Sequence, residues 1–289
     1  MLASFIKQQG LPASFAHNAN QWFIPVAERL LSQRTTAPYF IAVNGCQGSG
    51  KSTLASFLQA YFAQVHQLTT AVISLDDFYL DQTARAELAE KTHPLLKTRG
   101  VPGTHDTQSL FDVLIKLKTR QTCSLPRFDK SQDNPYSADS WPTIENADIV
   151  ILEGWCWGTQ AQSNEALAHP CNTLESEFDS QGNWRRFVNQ QLSTHYQPLY
   201  SMFDTWLMLK APSFECVAQW RWQQEEHLAR SITDKGQKNK LMSESEVAQF
   251  VQFFERLTRH TLETLPASCD FVFELDSSRQ ITQLRSAHA

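Results

Sequence analysis

The chain has 289 residues, of which 42% are apolar and 19% charged, and its 30 acidic and 25 basic side chains give a formal net charge of −5. This is the composition of an ordinary globular protein and excludes a disordered chain; with no long basic block it also speaks against a general nucleic-acid or membrane-surface role. Six scattered cysteines without a C-x-x-C pair read as reduced thiols, the N-terminus has no secretory apolar core, and no stretch reaches the roughly 18 apolar residues of a membrane span, so a cytoplasmic protein is expected.

In chain order, residues 1–36 read as an N-terminal helical extension. The first strand, Tyr39 to Val43, leads through a glycine-rich turn into a helix whose Leu54, Phe57, Leu58 and Tyr61 recur at helical spacing. A second strand, Ala71 to Leu75, runs into S-L-D-D-F-Y-L, where two adjacent aspartates close it. Residues 77–148 form a long connection around one helix, which Asp106 or Thr107 caps and Leu110, Phe111, Leu114 and Leu117 stripe. The third strand, Ile149 to Leu152, precedes a polar stretch, 158–203, with few apolar periods. A fourth strand, Thr205 to Leu209, precedes helical residues 217–230. S-E-S-E at 243–246 makes a capping box for a helix carrying Val247, Phe250, Val251, Phe254 and Leu257 on one face, and Phe271 to Leu275 is the fifth strand. This alternation predicts an α/β fold with a parallel sheet covered on both faces. No linker divides the chain. One domain is therefore expected, with 77–148 and 158–203 as inserted segments forming the acceptor region and about 212–242 as a lid, since long connections in a compact domain are usually functional.

The chemistry concentrates at the ends of the first three strands. G-C-Q-G-S-G-K-S-T at 45–53 matches G-x-x-x-x-G-K-[ST] between a strand and a helix. Gly45, Gln47, Gly48, Ser49, Gly50, Lys51, Ser52 and Thr53 are thereby assigned to ATP: backbone N–H groups converge on phosphate oxygens, the helix dipole adds to them, Lys51 reaches the terminal phosphates and Ser52 ligates Mg²⁺. Cys46 sits at a variable position of this loop, where a small residue is tolerated. No N-K-x-D guanine motif is present, because N-K-L-M at 239–242 lacks the aspartate. Glu153, ending I-V-I-L-E-G, is placed to hold Mg²⁺ or accept a substrate hydroxyl. Asp76 converges on the same crevice and is the candidate base for an acceptor hydroxyl, with Mg²⁺ contact as a second role. Adjacent strand residues face opposite ways, so Asp77 is expected to cap or turn the chain instead. Arg99, Arg127 and Lys130 suit an anionic small molecule, and His93 and His105 read as hydrogen-bonded structural residues. Arg221, with Arg230, is assigned to a lid that compensates transition-state charge, followed by Lys235, Lys238 and Lys240 in a polar loop.

From about residue 38 to 275 the sequence resembles the D-glycerate 3-kinase family of plants and fungi, a branch of the P-loop group that includes phosphoribulokinase, uridine kinase and pantothenate kinase. The resemblance runs through the phosphate loop, S-L-D-D-F-Y-L, R-G-V-P-G-T-H-D, L-P-R-F-D-K-S, the W-P at 141–142, I-L-E-G-W, Q-W-R-W-Q-Q-E and M-S-E-S-E-V. It implies the P-loop kinase fold, with a five-stranded parallel sheet in the order 2-3-1-4-5. It also implies phosphorylation of D-glycerate by MgATP to give 3-phosphoglycerate and ADP. In the wider group the first Asp after strand two is catalytic, which falls on Asp76 beside Lys51 and Glu153. Tyr79, Arg99, His105, Asp106, Arg127 and Asp129 fall on branch motifs near the acceptor. Two alternatives stay open at this point: a kinase for uridine, pantothenate or a sugar phosphate, or an ATP-binding regulatory protein. A small-molecule acceptor is the expected partner, with no nucleic acid or membrane, in a monomer or small homo-oligomer.

Overall fold

A computed structural model describes residues 1–231 and 242–287. Its central sheet contains β1 (Tyr39–Gly45), β2 (Thr70–Ser74), β3 (Ile149–Gly154), β4 (Thr205–Lys210), β5 (Phe271–Leu275) and β6 (Ile281–Ser286). Across the sheet they run β2-β3-β1-β4-β5-β6. The five expected strands are parallel and in the expected order. The sixth was not expected: β6 adds antiparallel to β5, after a short turn whose Asp276 carboxylate accepts from the backbone of Ser278 and Gln280.

Alternation along the strands divides the core. Tyr39, Ile41 and Val43 of β1, with Ile149 and Ile151 of β3, join one buried cluster. Phe40 and Ala42, with Val150 and Leu152, join the other. Both faces of a parallel sheet are thus covered, which is why its strands are nearly continuous apolar runs. The registers Val43↔Glu153 and Ser74↔Glu153 bring the C-terminal ends of β1, β2 and β3 level with one another.

Helices α1 (Leu2–Gln8) and α2 (Ile24–Gln33) lie in the N-terminal segment. Phe5 of α1 and Phe23, directly before α2, pack on α3 (Lys51–His66), with ring centroids 5.5 and 5.8 Å from that of Phe57. In the first inserted segment, α4 (Gln82–Lys91) precedes α5 (Thr107–Lys118). Asp106 caps α5, its Oδ1 accepting from the Ser109 N–H at 2.9 Å. Leu110, Leu114 and Leu117 of α5 are buried as expected, but Phe111 is 40% exposed and Val113 takes the inner position. Leu110, Val113, Leu114 and Leu117 follow the i, i+3, i+4, i+7 spacing of one helix face, while Phe111, one residue after Leu110, turns about 100° away from it.

The second inserted segment departs most from expectation. Rather than an irregular loop, it holds α6 (Thr173–Phe178) and α7 (Asn183–Gln191), and α7 continues through a π-helical turn at Leu192–Tyr196. Trp184, Val188, Leu192 and Tyr196 are all buried. Their four-residue spacing is a stripe one residue wide in polar sequence, too narrow to register as an amphipathic face. Helix α8 (Glu215–Ser231) follows β4, and α9 (Glu244–Thr264) begins at the capping box, with Ser243 and Glu246 bonded reciprocally. A buried pair ties α9 to α6, where Arg256 donates through Nε and Nη2 to the Glu175 carboxylate at 2.7 and 2.6 Å. Among the described residues no helix is long and apolar enough to cross a membrane.

Candidate active site

The phosphate loop links β1 to α3. Gly50, at the cap of α3, has φ +93°, a left-handed conformation that disfavours any side chain, and Gly48 is also at positive φ. Behind the loop, the buried Asn44 amide donates to the Trp155 and Trp157 carbonyls at 3.3 and 2.7 Å, fixing the exit of β3 against β1. Gly154 is needed there because a Cβ would come within 2.9 Å of Leu75 Cβ. Ser52, in the first turn of α3 with Thr53, donates from Oγ to Glu153 Oε1 at 2.8 Å, and Lys51 Nζ stands 3.8 Å from Glu153 Oε2. Burial would lower the Lys51 pKa, but the Glu153 and Asp76 carboxylates outweigh it and raise it, so the ammonium stays charged.

Three buried polar atoms of this cradle have no hydrogen-bond partner among the described residues: Gln47 Oε1, Ser49 Oγ and Glu153 Oε2. Buried polar groups are nearly always paired, so such a set fits a polar ligand between β1 and β3. The Ser52 hydroxyl and the Glu153 carboxylate are hard oxygen donors of the kind Mg²⁺ prefers, whereas both oxygens of Asp76, the third expected donor, are hydrogen-bonded to Tyr79 and Lys130. Cys46 is buried and burial pushes its thiol up to about 12, so it remains protonated and unreactive in this loop.

Asp76 and Asp77 lie in a 3₁₀ turn, Leu75–Phe78, directly after β2 rather than within it. The turn, not strand alternation, separates their roles. Asp76 Oδ1 accepts from the Tyr79 hydroxyl at 2.7 Å and Oδ2 from Lys130 Nζ at 2.5 Å. Burial alone would raise its pKa, but the Lys130 and Lys51 ammonium groups, together with these hydrogen bonds, hold it well below the usual carboxylate range. Asp77 is a residue of that turn, as expected, but its side chain caps no helix. Its carboxylate takes the Phe128 N–H at 3.1 Å and the Arg127 guanidinium at 3.2 Å, pinning L-P-R-F-D-K-S to the end of β2.

The remaining acceptor candidates divide into ring walls and braces. Tyr79 and His105 face each other across a backbone bridge closed by Leu80 N–H to Thr104 O and Asp106 N–H to Phe78 O, and their rings stack at 4.7 Å. Arg99 lies over the Phe128 ring and pairs with Asp133, which also receives the fully buried Arg85 at 2.6 Å. Arg99 and Arg127 are thus committed to carboxylates of the chain itself, and Lys130 alone of the three expected cations reaches Asp76. Asp129 shapes a turn by accepting from the Ser131 and Gln132 N–H groups, as Asp106 caps α5. Arg221 pairs with Glu225 one turn along α8. The Arg230 side chain and Lys235, Lys238 and Lys240 lie outside the described residues. Sequence reasoning missed Asp133 and Tyr196, because an isolated polar residue in a long insertion carries no motif.

Burial pushes the His105 imidazole down to about 4, against the pull of the Asp76 carboxylate. Between about pH 6.5 and 4 the unfolded chain therefore carries a proton here that the folded protein does not. This contribution to stability is complete above pH 6.5 and is lost as the pH falls through that window, by about 3 kcal/mol in all. His105→Gln should flatten that part of the profile, measured as urea midpoints at about pH 7.5 and 5. An equal acid loss in both proteins would assign the effect to another group.

Comparison with known proteins adds three relatives. The model of the phosphoribulokinase / uridine kinase family matches residues 40–162. The uncharacterized kinase mug58 of Schizosaccharomyces pombe is 32% identical over 228 residues, 75% of this chain and 78% of that protein. The chloroplastic D-glycerate 3-kinase of Arabidopsis thaliana is 29% identical over 241 residues, which are 80% of this chain but 49% of that protein, so the chain spans about half of its length. A solved D-glycerate 3-kinase from Cryptococcus neoformans var. grubii has a TM-score of 0.74 at 25% identity, covering 95% of this chain and 100% of that one.

Proposed function

The chain belongs to the phosphoribulokinase / uridine kinase family of P-loop kinases, together with D-glycerate 3-kinase homologues, and from this we propose that it phosphorylates D-glycerate to 3-phosphoglycerate with release of ADP. At the coarser level it is an ATP- and Mg²⁺-dependent phosphotransferase whose acceptor is an alcohol group of a small molecule. The observation that carries the finer reading is Asp76: ionised, hydrogen-bonded by Tyr79 and Lys130, and close enough to Lys51 to feel its charge. A carboxylate so placed beside a phosphate cradle suits an acceptor hydroxyl, and the neighbouring Lys130 ammonium suits an acceptor that is itself an anion.

The chain's residues divide the work. Bound Mg²⁺ would neutralise charge on the phosphate oxygens, with the Ser52 hydroxyl and the Glu153 carboxylate as its protein donors. Lys51 keeps its charge beside Glu153 and offers it to the phosphoryl group in transfer. Asp76 accepts the hydrogen bond of the acceptor hydroxyl and aims its lone pair. Its depressed pKa makes it a weak base, so the proton moves to it only as the new O–P bond forms, which suits a loose transition state. Tyr79 and Lys130 fix the carboxylate in that orientation. A hydroxy-acid acceptor, a cytoplasmic location, a monomer or small homo-oligomer, and a single domain with an acceptor region at 77–148 and 158–203 belong to the same proposal.

The test is a coupled ADP-release assay with ATP, Mg²⁺ and, separately, D-glycerate, uridine, pantothenate and ribulose 5-phosphate. D-glycerate should give the highest kcat/KM. A higher value for any of the other three would replace glycerate as the acceptor and leave the kinase assignment standing.

A further inference from the structure

The π-helical turn of the second inserted segment delivers one side chain to the ring of His105. Tyr196, fully buried, places its hydroxyl 2.6 Å from His105 Nδ1, and the same hydroxyl oxygen accepts the Gly103 N–H at 3.2 Å. π-turns are rare and occur often at functional sites. The other ring nitrogen, His105 Nε2, is buried without a hydrogen-bond partner among the described residues, although His105 is only 4% exposed. Its ring stacks on Tyr79, whose hydroxyl is bonded to Asp76.

The three contacts determine where the protons lie. A phenol has one hydrogen to give. The Gly103 N–H already uses the acceptor side of the Tyr196 oxygen, so the O–H is free to donate to Nδ1, which must then be the unprotonated nitrogen. The opposite tautomer would leave the Tyr196 O–H buried with nothing to receive it, the more expensive arrangement. Nε2 therefore carries the hydrogen. We propose that Gly103, Tyr196 and His105 form a relay that fixes the Nε2–H tautomer of His105, and that this N–H is the donor by which the site recognises an oxygen of the acceptor, a carboxylate or a hydroxyl next to the reacting one. The proposal rests on reading the Asp76 crevice as the acceptor site. Tyr196 acts through His105 and is a positioning residue, which gives the second inserted segment a part in specificity.

Two measurements separate this from the identity of the acceptor. The first is a long-range ¹H–¹⁵N NMR correlation of the His105 ring in the ligand-free protein at neutral pH, assigned by its loss in His105→Gln. It should show the proton on Nε2 in the wild type and a mixture of tautomers in Tyr196→Phe. A proton on Nδ1 in the wild type would overturn the relay whatever the acceptor proves to be. The second uses the acceptor that wins the ADP-release comparison. Gln places its amide near the position of Nε2 and Asn near that of Nδ1, so His105→Gln should keep the acceptor KM within about threefold while His105→Asn raises it about 10- to 100-fold, the range of one lost buried hydrogen bond. The ATP KM should change less than about twofold in both, and Tyr196→Phe should raise the acceptor KM about 3- to 10-fold. Equal losses from the Gln and Asn variants, or a parallel rise in the ATP KM, would show that His105 only packs. Should His105→Asn not fold, the Tyr196→Phe tautomer and KM decide alone.

Discussion

Replacing Asp76 with Asn should lower turnover by about 10²- to 10⁴-fold while leaving the ATP KM near normal, the effect of removing a positioned acid–base group. Asn is nearly isosteric, and its side-chain oxygen can still accept from the Tyr79 hydroxyl. What it lacks is the charge that draws Lys130 inward and the capacity to take a proton from the acceptor. Stability should change little through the lost ion pair, because Lys130 is 60% exposed and exposed pairs contribute little. Since the folded-state pKa of Asp76 is depressed, the carboxylate is ionised at all pH values above about 5, and an acid limb of kcat in that range must belong to another group. Separate measurement of kcat and of both KM values is the check. Turnover within a few-fold of wild type would remove Asp76 from the mechanism.

Lys51→Ala should impair both halves of the reaction, lowering kcat by about 10³-fold and raising the ATP KM, because the ammonium faces charge that grows in the transition state. It has a second, structural consequence. The Glu153 side chain is 5% exposed and relies on Lys51 for its counter-charge, with Ser52 as its hydrogen-bond donor. Breaking a buried pair from one side typically costs about 3 kcal/mol or more. Lys51→Ala should therefore also lower the thermal midpoint of the nucleotide-free protein. Adding Glu153→Gln should recover stability without recovering turnover, which separates the two roles. If the double variant regained activity, or the single variant kept normal kinetics, the phosphate-cradle assignment of Lys51 would be wrong.

Much of the site was legible in sequence because its chemistry demands fixed residue types at contiguous spacing. The loop from Gly45 to Thr53 needs glycines for backbone approach and a Lys-Ser pair at the helix start, so it announces itself wherever it occurs. Asp76 and Glu153 were legible for a related reason. They terminate apolar strands, and in a parallel sheet neighbouring strand ends share one crevice. The partners of these residues were not legible. Asp77 meets Arg127 across 50 residues of chain, Arg85 meets Asp133 across 48, and His105 meets Tyr196 across 91. No local period encodes such distances.

The division between sequence and tertiary structure follows from this. By itself the sequence determined the parallel α/β sheet, the phosphate cradle and the placing of paired aspartates at the end of the second strand, because strand and helix periods and the backbone requirements of phosphate binding act over a few residues. Only the tertiary structure decided that Arg99 and Arg127 serve as braces for the chain's own carboxylates, that Asp77 pins the 125–131 segment, and that a tyrosine of the second inserted segment reaches the ring of His105. Those assignments depend on which buried charge or donor finds which partner. Desolvation makes that pairing compulsory, while the folded path of the whole chain determines who is within reach.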